Sequence, residues 1–364
     1  MAISTISVDE RLQASDTTEG DRTRRAKLAI VLLALLLAAT MLLNLGSGAS
    51  DASGLVVLRD LLGGADTFTL RDRVIIYDIR LPRLLLGVLV GAALAVSGAV
   101  MQGLFRNPLA DPGLVGVSAG ASLGAVSMIV LGQTLLTPLN DALGSLALPM
   151  MAFVGGLITT FILYQIATRH GRTSVATMLL AGIALAALAM AVTGILIFIA
   201  DDRQLRDLTF WQLGSLAGAT WSKIYAVAPI IISALAVSPF IARGLNALAL
   251  GEPTAHHMGV PVQRLKYAAI LSVSAAVGAA VAVSGGIGFV GIVVAHMLRL
   301  AIGPDNRYLL PASALLGASL LLLADAVSRT IVAPAELPIG IVTALAGAPF
   351  FLWILLRKRG VLDL

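Results

Sequence analysis

Apolar residues along this chain gather into ten blocks, at 28–45, 82–105, 113–131, 148–167, 174–199, 223–242, 265–283, 287–300, 309–327 and 339–356. Most of the charge lies in the gaps between them. All but one block reach about 18 residues, enough for a helix rising 1.5 Å per residue to cross the hydrocarbon core of a bilayer. Lipid offers the backbone no hydrogen-bond partner, so such blocks have to be helices that satisfy their own peptide groups. The exception, 287–300, is short for a crossing and predicts a helix that enters the membrane partway. The pattern predicts an all-α polytopic membrane protein of ten transmembrane helices. A single transmembrane domain over 27–364 would follow a disordered tail over 1–26 that does not look like a cleaved signal peptide.

Composition agrees, because 58% hydrophobic and 12% charged residues are more apolar material than a water-surrounded core can hold. The mean hydropathy is +0.94. An isoelectric point near 9.9 invites a nucleic-acid reading. The basic residues are dispersed between blocks and form no stripe, so no nucleic-acid partner is expected. They read instead as topology, since basic loops stay in the cytosol. Arg22, Arg24, Arg25 and Lys27 precede the first block, and Arg357, Lys358 and Arg359 follow the last, so both termini are expected there. Asp51, Asp60, Asp66, Asp72, Asp78, Asp201, Asp202 and Asp207 fall on the opposite side. Helix 1 then starts inside and helix 6 outside, which predicts two inverted halves of five. A weak echo supports this: Ala95-Val96-Ser97-Gly98 recurs as Ala282-Val283-Ser284-Gly285, and Gly113-Leu114-Val115-Gly116 as Gly288-Phe289-Val290-Gly291.

Candidate chemistry is sparse. Without cysteine there are no disulfides or thiolate metal sites. None of Lys27, Lys223, Lys266 and Lys358 follows a glycine, so there is no phosphate-binding G-x-x-x-x-G-K loop and the chain is not expected to bind ATP through one. Gly286-Ile287-Gly288-Phe289-Val290-Gly291 matches G-x-G-x-x-G but lacks the strand and soluble βαβ unit that motif needs. The glycines there are expected to break a membrane helix. His170, His256, His257 and His296 fall at predicted loops or helix ends and are not expected to ligate. Asp325, inside an apolar block, has Arg329 four residues on and is expected to pair with it. No catalytic or metal site is predicted. Gly87 with Gly91, and Gly116, Gly120 and Gly124, have the spacing that lets helices pack closely. The polar region 246–266 carries Gly251-Glu252-Pro253 and Gly259-Val260-Pro261, turn signals bracketing a short helix suited to docking a cytosolic partner.

Longer strings resemble one family. Arg80-Leu81-Pro82-Arg83, Ser97-Gly98-Ala99-Val100-Met101-Gln102, Asn107-Pro108-Leu109-Ala110-Asp111-Pro112-Gly113, Leu180-Ala181-Gly182-Ile183-Ala184, Gly288-Phe289-Val290-Gly291 with His296 and Arg299, Leu323-Ala324-Asp325 and Glu336-Leu337-Pro338-Ile339-Gly340 resemble the FecCD-like permeases, the type II ABC importers of haem, iron-siderophores and cobalamin. The resemblance runs from about residue 78 to the C-terminus. It implies a homodimer in the bacterial inner membrane, two cytosolic ATPase subunits that use ATP and Mg, a periplasmic binding protein and no cofactor bound by this chain. It places ATPase coupling at Leu250, Gly251, Glu252, His256, His257, Met258 and Gly259, and a cytosolic gate at Asn107, Leu109, Thr173 and Ser174. Met101, Gln102, Gly286 and Gly288 fall to the translocation pathway, and Arg80, Arg83 and Arg329 to docking the binding protein's carboxylates, where arginine's fork suits the geometry. The strings 245–252 and 210–221 look most similar to haem importers, with ferric siderophores and cobalamin as alternatives. An ion-coupled secondary transporter would carry several mid-membrane ionisable groups, and an intramembrane enzyme a buried cluster of His, Asp and Glu; this chain shows neither pattern.

Overall fold

A computed structural model of the chain describes residues 22–46, 70–169, 172–333 and 335–357. Residues 1–21 of the tail expected over 1–26, with Asp51, Asp60, Asp66, His170, Lys358 and Arg359, lie outside them, while 23–26 already belong to a helix. The described residues form helices α1 (Thr23–Gly46), α2 (Leu81–Phe105), α3 (Val117–Leu131), α4 (Ala147–Ala167), α5 (Val175–Ile199), α6 (Asp202–Leu213), α7 (Trp221–Ala236), α8 (Ser238–Leu248), α9 (Glu252–His257), α10 (Val262–Ser284), α11 (Val290–Ile302), α12 (Asn306–Thr330) and α13 (Ile339–Arg357). The chain is nearly all helical. Its sheet is a hairpin of two-residue strands, β1 (Thr168–Arg169) and β2 (Arg172–Thr173).

Helices α1, α2 with its extension from Leu70, α4, α5, α10 and α12 are long and apolar enough to cross a membrane. The pair α7 and α8 makes one further crossing bent by 43°. With the shorter apolar α3, α11 and α13, these account for the ten predicted blocks. The bend falls just before Ser238-Pro239, where proline removes an N–H and disfavours helix in the residue ahead of it. The sixth block was predicted to end at 242, whereas the helix resumes after the break to Leu248. Block 287–300 becomes the 13-residue α11, about 20 Å long at 1.5 Å per residue and short of a bilayer core. Helix α6 was missed: it is polar, and its N-terminus carries a capping box between Asp201 and Gln204.

The interior is built from small residues. A Cβ on Gly98 would stand 2.3 Å from the Gly291 carbonyl oxygen, and one on Gly91 2.5 Å from that of Gly317, so α2 meets α11 and α12 backbone to backbone. Gly120 and Gly124 meet α4 in the same way, as their spacing predicts. Gly116 also lies against α4, a Cβ there standing 3.1 Å from Thr159 Cγ2, but at φ +73° it is the left-handed cap of α3, which starts four residues later than predicted. Helix α2 packs on α7, α10, α11 and α12, and α10 packs on α2, α3, α4 and α7. In the order of the ten blocks, the second lies on the sixth to ninth, and the seventh on the second, third, fourth and sixth. Exchanging each block for the one five places away carries the seventh, eighth and ninth onto the second, third and fourth, in the manner of two related halves, while the sixth block packs on both and breaks the exchange.

The two ends of the bundle differ. Arg22, at the start of α1, lies beside Gly303 in the turn before α12. Asn246 near the end of α8 donates to Asp305 (2.6 Å) and accepts from Asn306 (2.7 Å). The end of α2, the hairpin, α9 and the start of α10 therefore share one face with the start of α1. Arg80, Arg83, Asn44 and the end of α12 share the other.

Candidate functional site

On the first face, β1 and β2 pair Thr168 with Thr173 and Arg169 with Arg172, joining the end of α4 to the start of α5. Both backbone groups of Thr173 are held by the first turn of α10. Its N–H donates to Gln263 Oε1 (2.9 Å), and its carbonyl accepts from Lys266 Nζ (2.8 Å). Residues 263 and 266 lie on one side of a helix, three apart. Lys266 is 2% exposed, and its ammonium also meets Glu252 Oε1 at 2.7 Å, the first residue of α9. Ser174 is exposed and caps α5, its hydroxyl accepting from Thr177 N–H.

Gly251 and Gly259, at φ +105° and +82°, bracket α9 as the sequence predicts. Between them Ala255 is buried, while His256, His257 and Met258 are exposed, as is Leu250. Glu252, His256, Arg172 and Arg264 line a cleft of about 480 Å³ between α9 and the hairpin. Asn107 and Leu109 lie exposed in the loop after α2; Asn107 Oδ1 accepts from Leu109 N–H at 2.9 Å. Burial pushes the Asp111 carboxyl in this loop up, against the Gly113 N–H that favours its charged form. The turn Pro112–Val115 that follows packs on α5 and α10, so the Asn107 loop and the hairpin converge on one helix. At the start of α12, the Arg307 guanidinium holds the Asp305 carboxyl below the usual carboxylate range.

The opposite face carries a buried charge network. Arg83 meets Asp325 at 2.9 Å and Glu336 at 2.8 Å. Arg329 meets Asp325 at 3.1 Å, the ion pair expected from their spacing, and donates to Asn44 of α1. Arg80 donates to the Leu45 carbonyl. The three arginines expected to face outward are thus 5–9% exposed and engaged within the chain, and the accessible member of the network is Glu336, its side chain 40% exposed.

Gly286 and Gly288 fall in the break between α10 and α11, as expected of helix-breaking glycines. Backbone contacts fix the break: Ser215 N–H donates to the Ser284 carbonyl (2.8 Å), and Ile339 N–H to the Gly214 carbonyl (3.1 Å). Met101 is fully buried, and Gln102 ties α2 to α11, accepting from Arg299 Nε (3.2 Å) and donating to the Ile292 carbonyl (3.3 Å). His296, expected at a helix end, is buried midway along α11. Among the described residues no group of three or more His, Cys, Asp or Glu could hold a metal.

Sequence reasoning passed over Lys266 and Gln263. The signal for Lys266 was an ionisable residue at the mouth of an apolar block.

Comparison with known proteins gives consistent findings. The FecCD transport family matches residues 35–357. The hemin transport system permease protein HmuU of Yersinia pestis is 49% identical over 282 residues, covering 78% of this chain and 83% of that protein. The vitamin B12 import system permease protein BtuC of Escherichia coli O9:H4 (strain HS) is 46% identical over 297 residues, 81% of this chain and 87% of its own. A solved structure, the inward-facing conformation of a protein assigned to the metal-chelate type of ABC transporter, superposes with a TM-score of 0.77 at 31% identity, covering 90% of this chain and 98% of that one. PsaBC from Streptococcus pneumoniae shares the fold at 18% identity, with a TM-score of 0.52 over 78% of this chain and 93% of its own.

Proposed function

The chain belongs to the FecCD transport family and is the permease subunit of a type II ABC importer, with ATP hydrolysis in a separate subunit, and from this premise we propose that it carries haem across the bacterial inner membrane. The observation that carries the ligand is the 49% identity to a hemin permease. Cobalamin is the second reading, favoured by the 46% identity to BtuC. A ferric siderophore is the remaining family ligand.

In this reading two copies flank a pathway, with both termini in the cytosol. Two ATPase subunits that use ATP and Mg dock on α9 through Leu250, Gly251, Glu252, His256, His257, Met258 and Gly259. What supports this is a small helix whose exposed apolar and imidazole side chains stand on the same face as the basic start of α1. Asn107, Leu109, Thr173 and Ser174 form the cytosolic gate, because their two loops converge on α5. Gly286 and Gly288 contribute an unwound segment toward the other end of the pathway. A periplasmic binding protein docks through Arg80, Arg83 and Arg329, its carboxylates replacing Glu336 on Arg83; the exposure of Glu336 makes that exchange accessible.

Proteoliposomes holding the chain, its ATPase and its binding protein should accumulate haemin only with ATP and Mg. Accumulation of cyanocobalamin or a ferric siderophore in place of haemin would reassign the ligand. Uptake driven by a proton or sodium gradient without ATP would overturn the mechanism.

A further inference from the structure

We propose that Lys266 is a positioning residue that ties the ATPase-facing helix to the gate, so that α9 and the start of α5 move as one body; this rests on the functional reading above. Three elements meet at one ammonium: α10, which carries it, the neighbouring α9, and the hairpin, whose Thr173 is 93 positions away. Glu252 Oε1 on α9 lies 2.7 Å from Nζ, and the Thr173 carbonyl on the hairpin 2.8 Å from it. An ammonium has three donors and no acceptor, so it can join two acceptors that could never join each other. Gln263, one turn earlier on the same helix, holds the N–H of the same Thr173 peptide at 2.9 Å. The peptide is thereby clamped from both sides, and the next residue, Ser174, is the cap from which α5 begins.

Burial makes the tie stiff. At 2% exposure Lys266 is screened little by water, and breaking one side of such a pair leaves a charge without compensation. Glu252 is the softer end, its side chain 38% exposed. Arg172 and Arg264 line the same cleft, so Glu252 is the acid that balances several cations there. Helix α5 rests on α3 and α4 and exposes apolar side chains along its length, including Leu180, Ile183, Leu188, Ile195 and Phe198. It is one of the long helices least encumbered by the rest of the chain. A displacement of α9 therefore reaches the start of α5 through Lys266, without passing through the bundle interior.

The experiment uses the complete transporter in proteoliposomes. The chain has no cysteine, so Thr254→Cys on α9 and Ala176→Cys on α5, both exposed, can take spin labels without background from this chain. In the otherwise wild-type chain the interlabel distance should stay the same and narrow with and without nucleotide. In Lys266→Met, which keeps an apolar stem and loses the donors, nucleotide should broaden or shift that distance, and uptake per ATP hydrolysed should fall by about tenfold, within the usual span of coupling between linked sites. Lys266→Arg should restore both, a rescue that a merely space-filling role would not need. Should Lys266→Met fail to assemble, Glu252→Ala cuts the same link from its accessible end and should show the same nucleotide-dependent broadening. If Lys266→Met or Glu252→Ala keeps both the wild-type distance and the wild-type ratio of uptake to hydrolysis, the tie is overturned. No ATP-dependent uptake by the wild-type complex overturns instead the functional reading on which the tie rests.

Discussion

Asp325 stands between two guanidinium groups, Arg83 at 2.9 Å and Arg329 at 3.1 Å, with its side chain 1% exposed. Two arginines and two acids, counting Glu336, leave the network balanced only when complete. Removing one charge from a buried pair costs roughly 3–5 kcal/mol, more than the pair itself contributes, because the partner is left stranded. Asp325→Asn should therefore lower stability in detergent by about that amount, and adding Arg329→Met should return part of the loss. Denaturant unfolding of the two single variants and the double variant measures the cycle; an Asp325→Asn chain as stable as the wild type would show the carboxylate to be dispensable. The pair with Arg329 was legible from its four-residue spacing. The bonds that Arg83 donates to Asp325 and Glu336 were not, since these lie 242 and 253 positions from it, and no local pattern encodes a contact made only after the bundle closes. Lys266 is the same case: its apolar setting was visible, but neither of its partners was.

At the scale of elements, hydropathy located every crossing to within a few residues where the helix was straight and bounded by charge. It lost the bend at Ser238-Pro239, although the proline was in view, because an apolar run continues through it. It also lost α6, whose polar surface hides it from any hydropathy window while its capping box stands in plain sequence. The hairpin has too few residues to show alternation. Helix α9 was read correctly from its two turn signals, and its brevity carries a prediction. Six residues are too few to hold a helix by themselves, so its shape comes from the buried Ala255 and the bond from Glu252 to Lys266. Replacing 251–260 with a Gly/Ser linker substitutes a flexible coil. Uptake in proteoliposomes should fall to background while the ATPase continues to hydrolyse ATP without transport. Retained coupling would remove α9 from the mechanism.

For the whole molecule, three of the partners of α2 exchange with three of those of α10 at a spacing of five blocks, which agrees with the two related halves hinted at by the four-residue echoes. Exposed apolar residues cover α1 and α5, and α13 adds Leu345, Leu352 and Trp353. Lipid can cover part of this surface, and the proposed second copy the rest. Light scattering of the purified chain in detergent, corrected for the micelle, should give a protein mass twice 37.5 kDa. A single-chain mass in the assembled transporter would overturn the homodimer.

The glycine contacts of α2 have a mechanical consequence. Where backbone touches backbone, as at Gly98 with Gly291 and Gly91 with Gly317, no side chains intervene to shear or repack. Helices α2, α11 and α12 thus form a chassis with almost no play. Helix α5 is the more exposed limb, and the hairpin of two-residue strands is the link that carries α9's motion to its start. An impulse arriving at one end of such a machine does not spread through the frame; it swings the limb.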